Sequence, residues 1–124
     1  MCAAIYPVKQ LRLRRPKTVP LGLKVAVGKS LPAAIQKIAA KLNPEKIILF
    51  GSYASGKPHK DSDIDLCLVA QNFTKNIITN AKYTAMASYN FPDIEVHHFN
   101  TDYFEKGDPF IDEIKRTGIE LELE

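Results

Sequence analysis

Cysteine, long apolar runs and signal sequences are scarce or absent in this chain of 124 residues. Cysteine occurs only at Cys2 and Cys67, so the sequence has neither a disulfide framework nor a CxxC-type metal pair. No apolar run approaches the roughly 20 residues that cross a bilayer, and the first residues lack the pattern of a secretory signal. These absences predict a soluble, cytoplasmic protein without a membrane partner. Cys67 lies in an apolar run, which predicts a small buried hydrophobe rather than a nucleophile.

Acidic residues are also absent before Glu45, whereas nine of the 17 basic residues precede it. Such a basic leader could contact nucleic acid or an acidic partner. Within residues 1–29, Pro7, Pro16 and Pro20 interrupt regular structure. We therefore favour a solvated, partly disordered extension over residues 1–29 and a folded domain over residues 30–124. One domain of this size leaves no room for a separate substrate-recognition domain.

The spacing of apolar residues predicts a series of short helices and strands. Its first half contains a helix from Ser30 to Leu42, a strand over Lys46–Phe50, a loop with at most a short helix over residues 51–62, and a strand over Ile64–Val69. Its second half contains a weaker helix over residues 73–88, a strand over Ile94–Phe99, a helix over Pro109–Arg116 and an alternating edge strand over Ile119–Leu123. This order predicts an α+β fold, with a small mixed β-sheet flanked by helices.

Carboxylates at strand spacing are the main chemical signal. Asp63 and Asp65 are two residues apart and should project to the same face of their strand. Two carboxylates repel at that spacing unless a hard cation such as Mg²⁺ neutralises them, and two-metal transfer chemistry needs such an arrangement. Glu95 on the next strand is the favoured third carboxylate and catalytic residue, and Asp93 is its rival. His97 shares a face with Glu95 and could support the site, although an ordinary structural role is the favoured interpretation.

A phosphate-binding turn is predicted directly before those carboxylates. Gly51 would let the backbone approach a phosphate closely, and Ser52 adds a hydroxyl and an amide donor. Taken alone, a Gly-Ser pair is ordinary turn chemistry. In the following loop, Ser62 and Lys60 complete the predicted nucleotide-binding set, since a lysine helps to neutralise a triphosphate.

The composite of these features resembles the signature of the DNA polymerase β-like nucleotidyltransferases, and most closely the minimal members of that superfamily. It consists of Phe50-Gly51-Ser52-Tyr53-Ala54-Ser55-Gly56 followed by Asp61-Ser62-Asp63-Ile64-Asp65-Leu66. The resemblance implies that Gly51 and Ser52 hold the phosphates and that Asp63, Asp65 and Glu95 bind two Mg²⁺ ions. A glutamate as third carboxylate is similar to the antibiotic nucleotidyltransferases, whereas minimal members more often carry aspartate. Ser55 departs from the pattern, since many relatives have arginine there.

The resemblance also implies a reaction and a partner. The reaction is transfer of a nucleoside monophosphate from a nucleoside triphosphate, ATP being favoured, to a hydroxyl acceptor, with release of pyrophosphate. Minimal members are often encoded beside a helical HEPN-type protein, and some act as antitoxins that modify it. Two alternatives stay open: a catalytically weak antitoxin that acts by contact alone, and transfer to a nucleic-acid end. The oligomeric state also stays open.

Overall fold

The computed structural model describes residues 11–13, 31–56, 62–73 and 77–123. Within this part of the chain the elements follow the order β1-α1-β2-α2-β3-α3-β4-α4-α5-β5. The strands are β1 (Leu11–Leu13), β2 (Lys46–Phe50), β3 (Ile64–Ala70), β4 (Ile94–Asn100) and β5 (Ile119–Leu123). The helices are α1 (Leu31–Leu42), α2 (Ser52–Ser55), α3 (Ile77–Ser88), α4 (Thr101–Lys106) and α5 (Pro109–Thr117). None of these helices is long and apolar enough to cross a membrane.

The strands form one mixed sheet in the order β1-β5-β2-β3-β4. β3 and β4 are parallel, and the other neighbouring pairs are antiparallel. Parallel neighbours need a long crossover, and α3 lies within the connection between β3 and β4. The predicted α+β class, with a small mixed sheet flanked by helices, is confirmed.

The prediction that the last strand forms an edge of the sheet is wrong. β1 covers β5, with Leu11 opposite Leu123 and Leu13 opposite Leu121. The alternating pattern of β5 showed only that its two faces differ, and it did not show whether a strand pairs with each of its edges. Its partner β1 comes from the basic leader and is too short to show an alternating pattern. Residues 1–10 and 14–30 lie outside the described residues, so the predicted domain boundary at residue 30 stays a prediction.

One face of the sheet packs against α1, whose apolar residues recur at helical spacing as predicted. Leu31, Ile35 and Ile38 are fully buried there against Leu66 and Leu68 of β3. Helix α3 lies beside α1 and buries polar residues, since Asn80 is 4% and Thr84 7% exposed. The Thr84 hydroxyl donates to the carbonyl oxygens of its own helix at residues 80 and 81. Polar residues on the inward side explain why the helical pattern of α3 was weak.

The opposite face of the sheet packs against α4 and α5. Phe104, Ile111 and Ile114 from these helices contact apolar side chains of β2 and β3, including Cys67. Cys67 is fully buried, and burial raises the pKa of its thiol to about 12. It is therefore the buried hydrophobe that the sequence predicted.

Side chains at the helix starts determine where α4 and α5 begin. Asn100 accepts a hydrogen bond from the Asp102 N–H at 2.9 Å, and Asp108 accepts one from the Ile111 N–H at 2.7 Å. Each cap satisfies a backbone donor that has no partner within its own helix. Helix α5 ends at Thr117, one residue beyond the predicted Arg116, and the Gly118 N–H that follows donates to the Ile114 carbonyl oxygen at 2.7 Å.

Candidate active site

Three neighbouring strands bring polar and aromatic side chains into one row across the sheet. Phe50 at the end of β2 pairs with Asp65 of β3, and Asp65 pairs with Glu95 of β4. Paired residues on adjacent strands point to the same face, and adjacent strands lie about 5 Å apart. The register therefore places Asp65 and Glu95 side by side on the face that α4 and α5 only partly cover.

His97 completes a compact group with these two carboxylates. Its Nε2 lies 3.6 Å from Asp65 Oδ1 and 3.7 Å from Glu95 Oε1. One ligand atom from each of the three residues lies within 4.8 Å of the others. Asp65 is the less accessible carboxylate, with a side-chain exposure of 24% against 58% for Glu95. The group is thus anchored inside the protein and opens to solvent at Glu95.

The surroundings of Asp65 disfavour its ionised form and raise its pKa. Burial raises its pKa, the neighbouring Glu95 raises it further, and His97 lowers it. Burial disfavours the ionised form because less water surrounds it, and a second carboxylate adds repulsion. A cation held between the two carboxylates would offset both effects.

Gly51 lies directly against Asp65. Its backbone has φ 73° and ψ −150°, a region that is essentially open to glycine alone. A Cβ built on Gly51 would overlap the Asp65 carboxylate oxygen Oδ2. The sequence predicted a glycine that lets a phosphate approach the backbone, and the structure adds a reason inside the protein: the backbone conformation of Gly51 strains any other residue, and an added Cβ would force the Asp65 carboxylate to shift.

The turn after Gly51 forms the short helix α2. The Gly51 carbonyl oxygen accepts from the N–H groups of Ala54 and Ser55, and Gly56 ends the helix in the left-handed conformation at φ 79°. The fully buried Tyr53 donates its hydroxyl to the Ser62 carbonyl oxygen at 3.3 Å. This hydrogen bond joins the two ends of the loop over residues 57–61, which lies outside the described residues.

The remaining predicted nucleotide-binding and metal-binding residues lie outside the group of Asp65, Glu95 and His97. Ser52 and Ser62 are half-buried at the two ends of that loop, and Lys60 is outside the described residues. Asp63 is exposed, precedes the first residue of β3 and is not a member of the described three-residue group. Its role as a metal ligand stays a prediction.

Asp93, the rival third carboxylate, is exposed and precedes β4. Its carbonyl oxygen accepts from the Ile64 N–H at 2.8 Å, at the start of the β3–β4 pairing. The described group of metal-ligand type contains Glu95 and not Asp93. The geometry therefore favours Glu95 over its rival.

The donor set fits a divalent cation. Carboxylate oxygens are the ligands that Mg²⁺ prefers, at a distance of about 2.1 Å, and they also suit Mn²⁺. Imidazole nitrogen binds Zn²⁺ more readily than it binds either of these ions. Opposite ligands around Mg²⁺ are therefore about 4 Å apart. His97 Nε2 lies 3.6 Å and 3.7 Å from the two carboxylates, within this distance. Asp65 and Glu95 are the residues that would hold such an ion, with His97 beside them.

Comparison with known proteins identifies the family of this chain. The family model described as "Polymerase beta, Nucleotidyltransferase" matches residues 33–121, which is most of the chain. This chain belongs to that family. A comparison of the sequence with curated proteins finds no significant match.

Two solved structures share the fold of this nucleotidyltransferase. A protein from Sulfolobus solfataricus, to which a nucleotidyltransferase function has been attributed, is 16% identical, with 84% of this chain and 88% of that chain covered and a TM-score of 0.56. A toxin–antitoxin structure with AMP-PNP is 23% identical, with 71% of this chain and 69% of that chain covered and a TM-score of 0.51. At these identities the two structures support the fold alone.

Aromatic side chains around His97 were not predicted from the sequence. The His97 ring lies 5.0 Å from Phe50 and 5.9 Å from Phe110, measured between ring centroids. Phe110 comes from the first turn of α5, where the pattern indicated only a helix. No spacing rule links that helix to β4, so the sequence offered no signal for this contact.

The two adjacent histidines of this nucleotidyltransferase have opposite surroundings. His98 points to the other face of the sheet, 5.3 Å from the Phe73 ring, and its Nδ1 is buried without a hydrogen-bond partner among the described residues. Burial lowers the pKa of His98, and His97 lowers it further. His97, and not His98, therefore belongs to the site, as strand alternation indicated.

Proposed function

We propose that this nucleotidyltransferase transfers a nucleoside monophosphate from ATP to a hydroxyl group on a partner protein. The observation that carries the proposal is the group of Asp65, Glu95 and His97 packed against the Gly51 turn. Family membership supports nucleotidyl transfer in general. The choice of ATP, of a divalent cation and of a protein acceptor goes beyond that.

The chemistry divides between the turn and the carboxylates. Gly51 and Ser52, with Ser62 and Lys60, bind the phosphates, and Asp65 and Glu95 hold the cation, with Asp63 as a further predicted ligand. A bound divalent ion neutralises phosphate charge and polarises the phosphoryl oxygens. The acceptor oxygen forms a bond to the α-phosphorus, the bond to the pyrophosphate oxygen breaks, and Glu95, at the solvent side, accepts the hydroxyl proton.

The acceptor is proposed to come from a partner chain. The resemblance to minimal nucleotidyltransferases favours a helical HEPN-type toxin as that partner, and one structure that shares the fold is a toxin–antitoxin structure with AMP-PNP. This chain would then act as the antitoxin, through modification of a hydroxyl side chain on the toxin.

A double-label experiment tests the reaction. The chain is incubated with the product of its neighbouring gene, Mg²⁺, and ATP labelled at either the α- or the γ-phosphate. We expect the α-label on the partner and the γ-label in released pyrophosphate. Label from the γ-phosphate on the partner would instead indicate phosphoryl transfer, and no label from wild-type protein would contradict the proposed function.

Matched variants separate the site from its surroundings. We expect Asp65→Asn and Glu95→Gln each to reduce α-label transfer at least about 100-fold, because each removes charge that acts on the transition state. Asp93→Asn removes a nearby exposed carboxylate outside the group and should leave transfer unchanged. Asp63→Asn tests the resemblance: a loss as large as that of Asp65→Asn would support its role as a ligand.

The same variants distinguish the two alternatives. If the chain neutralised its partner by contact alone, Asp65→Asn would still protect cells that express the partner. Transfer to a nucleic-acid end would require the basic leader, whose charge should then determine RNA affinity and its salt dependence. Since β1 pairs with β5, replacing Arg14, Arg15 and Lys17 by alanine is a cleaner test than deletion of residues 1–29. RNA binding unchanged by these replacements would count against that alternative.

A further inference from the structure

Phe110 is an exposed aromatic ring held beside the candidate active site. It lies at the start of α5, directly after Pro109, and is 47% exposed. Its ring centroid lies 5.8 Å from that of Phe50, at a nearly perpendicular angle, and 5.9 Å from that of His97. A third contact, at 6.3 Å, joins it to Phe99. The ring is thus fixed in position on one side while about half of it faces solvent.

The two main contacts of Phe110 link it to both parts of the site. Phe50 directly precedes the Gly51 turn, and His97 lies within 4 Å of both carboxylates. The described part of the chain has three other exposed large hydrophobic residues, Ile78, Tyr89 and Tyr103. Of the two aromatic residues among them, Tyr103 stacks on Phe99, and neither has a described ring contact with Phe50 or His97. Phe110 is therefore distinguished by its position rather than by its exposure.

We propose that Phe110 stacks on the base of the bound nucleoside triphosphate and favours purine over pyrimidine nucleotides. The inference rests on the proposed function, in which the Gly51–Ser52 turn binds the phosphates and the neighbouring carboxylates hold the cation. A base is joined to its phosphates through one ribose, so it must lie next to the phosphate site and not on it. Phe110 has such a position, because its ring lies beside His97, 5.9 Å between centroids, and not between the two carboxylates. An aromatic ring binds any base by its flat face, and purines offer the larger face.

The test compares ligands with and without a base, using a cation throughout. Affinities for ATP and for inorganic tripolyphosphate are measured by calorimetry in the presence of Mg²⁺. We expect Phe110→Ala to weaken ATP binding about tenfold and to leave tripolyphosphate binding unchanged. Phe110→Leu, which keeps apolar bulk but has no aromatic face, should weaken ATP binding equally. Tyr89→Ala, at an aromatic residue that is 83% exposed, is the matched control and should change neither affinity.

A tryptophan substitution adds a spectroscopic signature. The chain contains no tryptophan, so Phe110→Trp introduces a single fluorescent reporter. We expect this variant to retain the wild-type affinity for ATP. Its fluorescence should be quenched by ATP and GTP, less by CTP and UTP, and not by tripolyphosphate.

Several outcomes would overturn the inference. Phe110→Leu with unchanged ATP affinity would mean that no stacking occurs, and an equal loss for ATP and tripolyphosphate would indicate a structural disturbance. An unchanged ATP affinity with a raised KM for the acceptor would assign Phe110 to the acceptor instead. In each case wild-type protein still binds ATP, so the proposed function stands. If wild-type protein binds neither ATP nor tripolyphosphate, the proposed function fails and the inference fails with it.

Discussion

The two faces of the sheet differ in what covers them. Among the described residues, fifteen buried side chains form the cluster on the α1 and α3 side, and seven form the cluster on the α4 and α5 side. The larger cluster is closed by two helices of twelve residues each. The smaller one is covered by helices of six and nine residues, and Asp65, Glu95 and His97 lie beside it.

The difference shows how one small sheet can serve both stability and chemistry. Neighbouring residues of β3 point to opposite faces, so Leu66 belongs to the closed core and Asp65 to the site. Short covering helices leave the Glu95 carboxylate open to solvent, at the expense of apolar burial. The comparison predicts that substitutions on the closed face change stability, whereas those on the site face change binding.

The largest expected effect is at Leu66. Leu66→Ala should lower the free energy of unfolding by about 2–5 kcal/mol, because it removes a fully buried side chain and leaves a cavity. Ile111→Ala, also fully buried but on the site face, should cost about 2 kcal/mol, since the short α5 can move to fill the space. Urea unfolding measures both. A larger cost at Ile111 would break the comparison.

The next effect is stabilisation by a bound cation. Mg²⁺ or Mn²⁺ at 100 times its Kd should raise the free energy of unfolding of the wild-type protein by about 2.7 kcal/mol. Glu95→Gln should lose most of this increase, whereas Asp93→Asn should retain it. Unfolding in the presence and absence of the cation measures the change. Equal losses in the two variants would show that Glu95 has no special part in binding.

Gly51 provides a test of the contact between the turn and Asp65. Gly51→Ala should destabilise the fold by about 1–3 kcal/mol, because alanine is strained at this φ and ψ and its Cβ overlaps the carboxylate. It should also weaken cation binding. Gly56→Ala is the control: its φ is likewise positive, at 79°, but nothing lies within 4 Å of the added Cβ. Cation affinity in that variant should stay at the wild-type value, and a comparable loss there would refute the role of the contact.

The smallest effect concerns the pH dependence of the α5 cap. The Tyr103 hydroxyl, at 2.6 Å, and the Ile111 N–H lower the pKa of Asp108. A lowered pKa in the folded protein adds stability that is present above about pH 4, the ordinary value for aspartate, and is lost as the pH falls through the folded pKa. Asp108→Asn keeps a capping oxygen but cannot ionise. Near neutral pH, Asp108→Asn should therefore have a slightly lower midpoint temperature of unfolding than the wild-type protein. This difference should disappear in acid, and a difference that persisted below pH 3 would contradict this account.

The sequence predicted most helices and strands correctly because local pattern determines them. Apolar residues at helical spacing located α1, and a short β-branched run that ends in glycine located β2. Prediction failed at β1 and at the predicted edge position of β5. A strand of three residues carries almost no periodic signal, and its partner is more than 100 residues away in the chain.

Residue type and alternation alone determined which side chains could belong to the site. Asp65 and Glu95 were predicted as partners from the sequence, as was the need for glycine at position 51. Only the tertiary structure decided the register that pairs Asp65 with Glu95, the distance of His97 from both, and the placement of Phe110 beside them. The physical reason is that alternation along a strand is a local property of the backbone, whereas register and helix packing depend on contacts between distant parts of the chain.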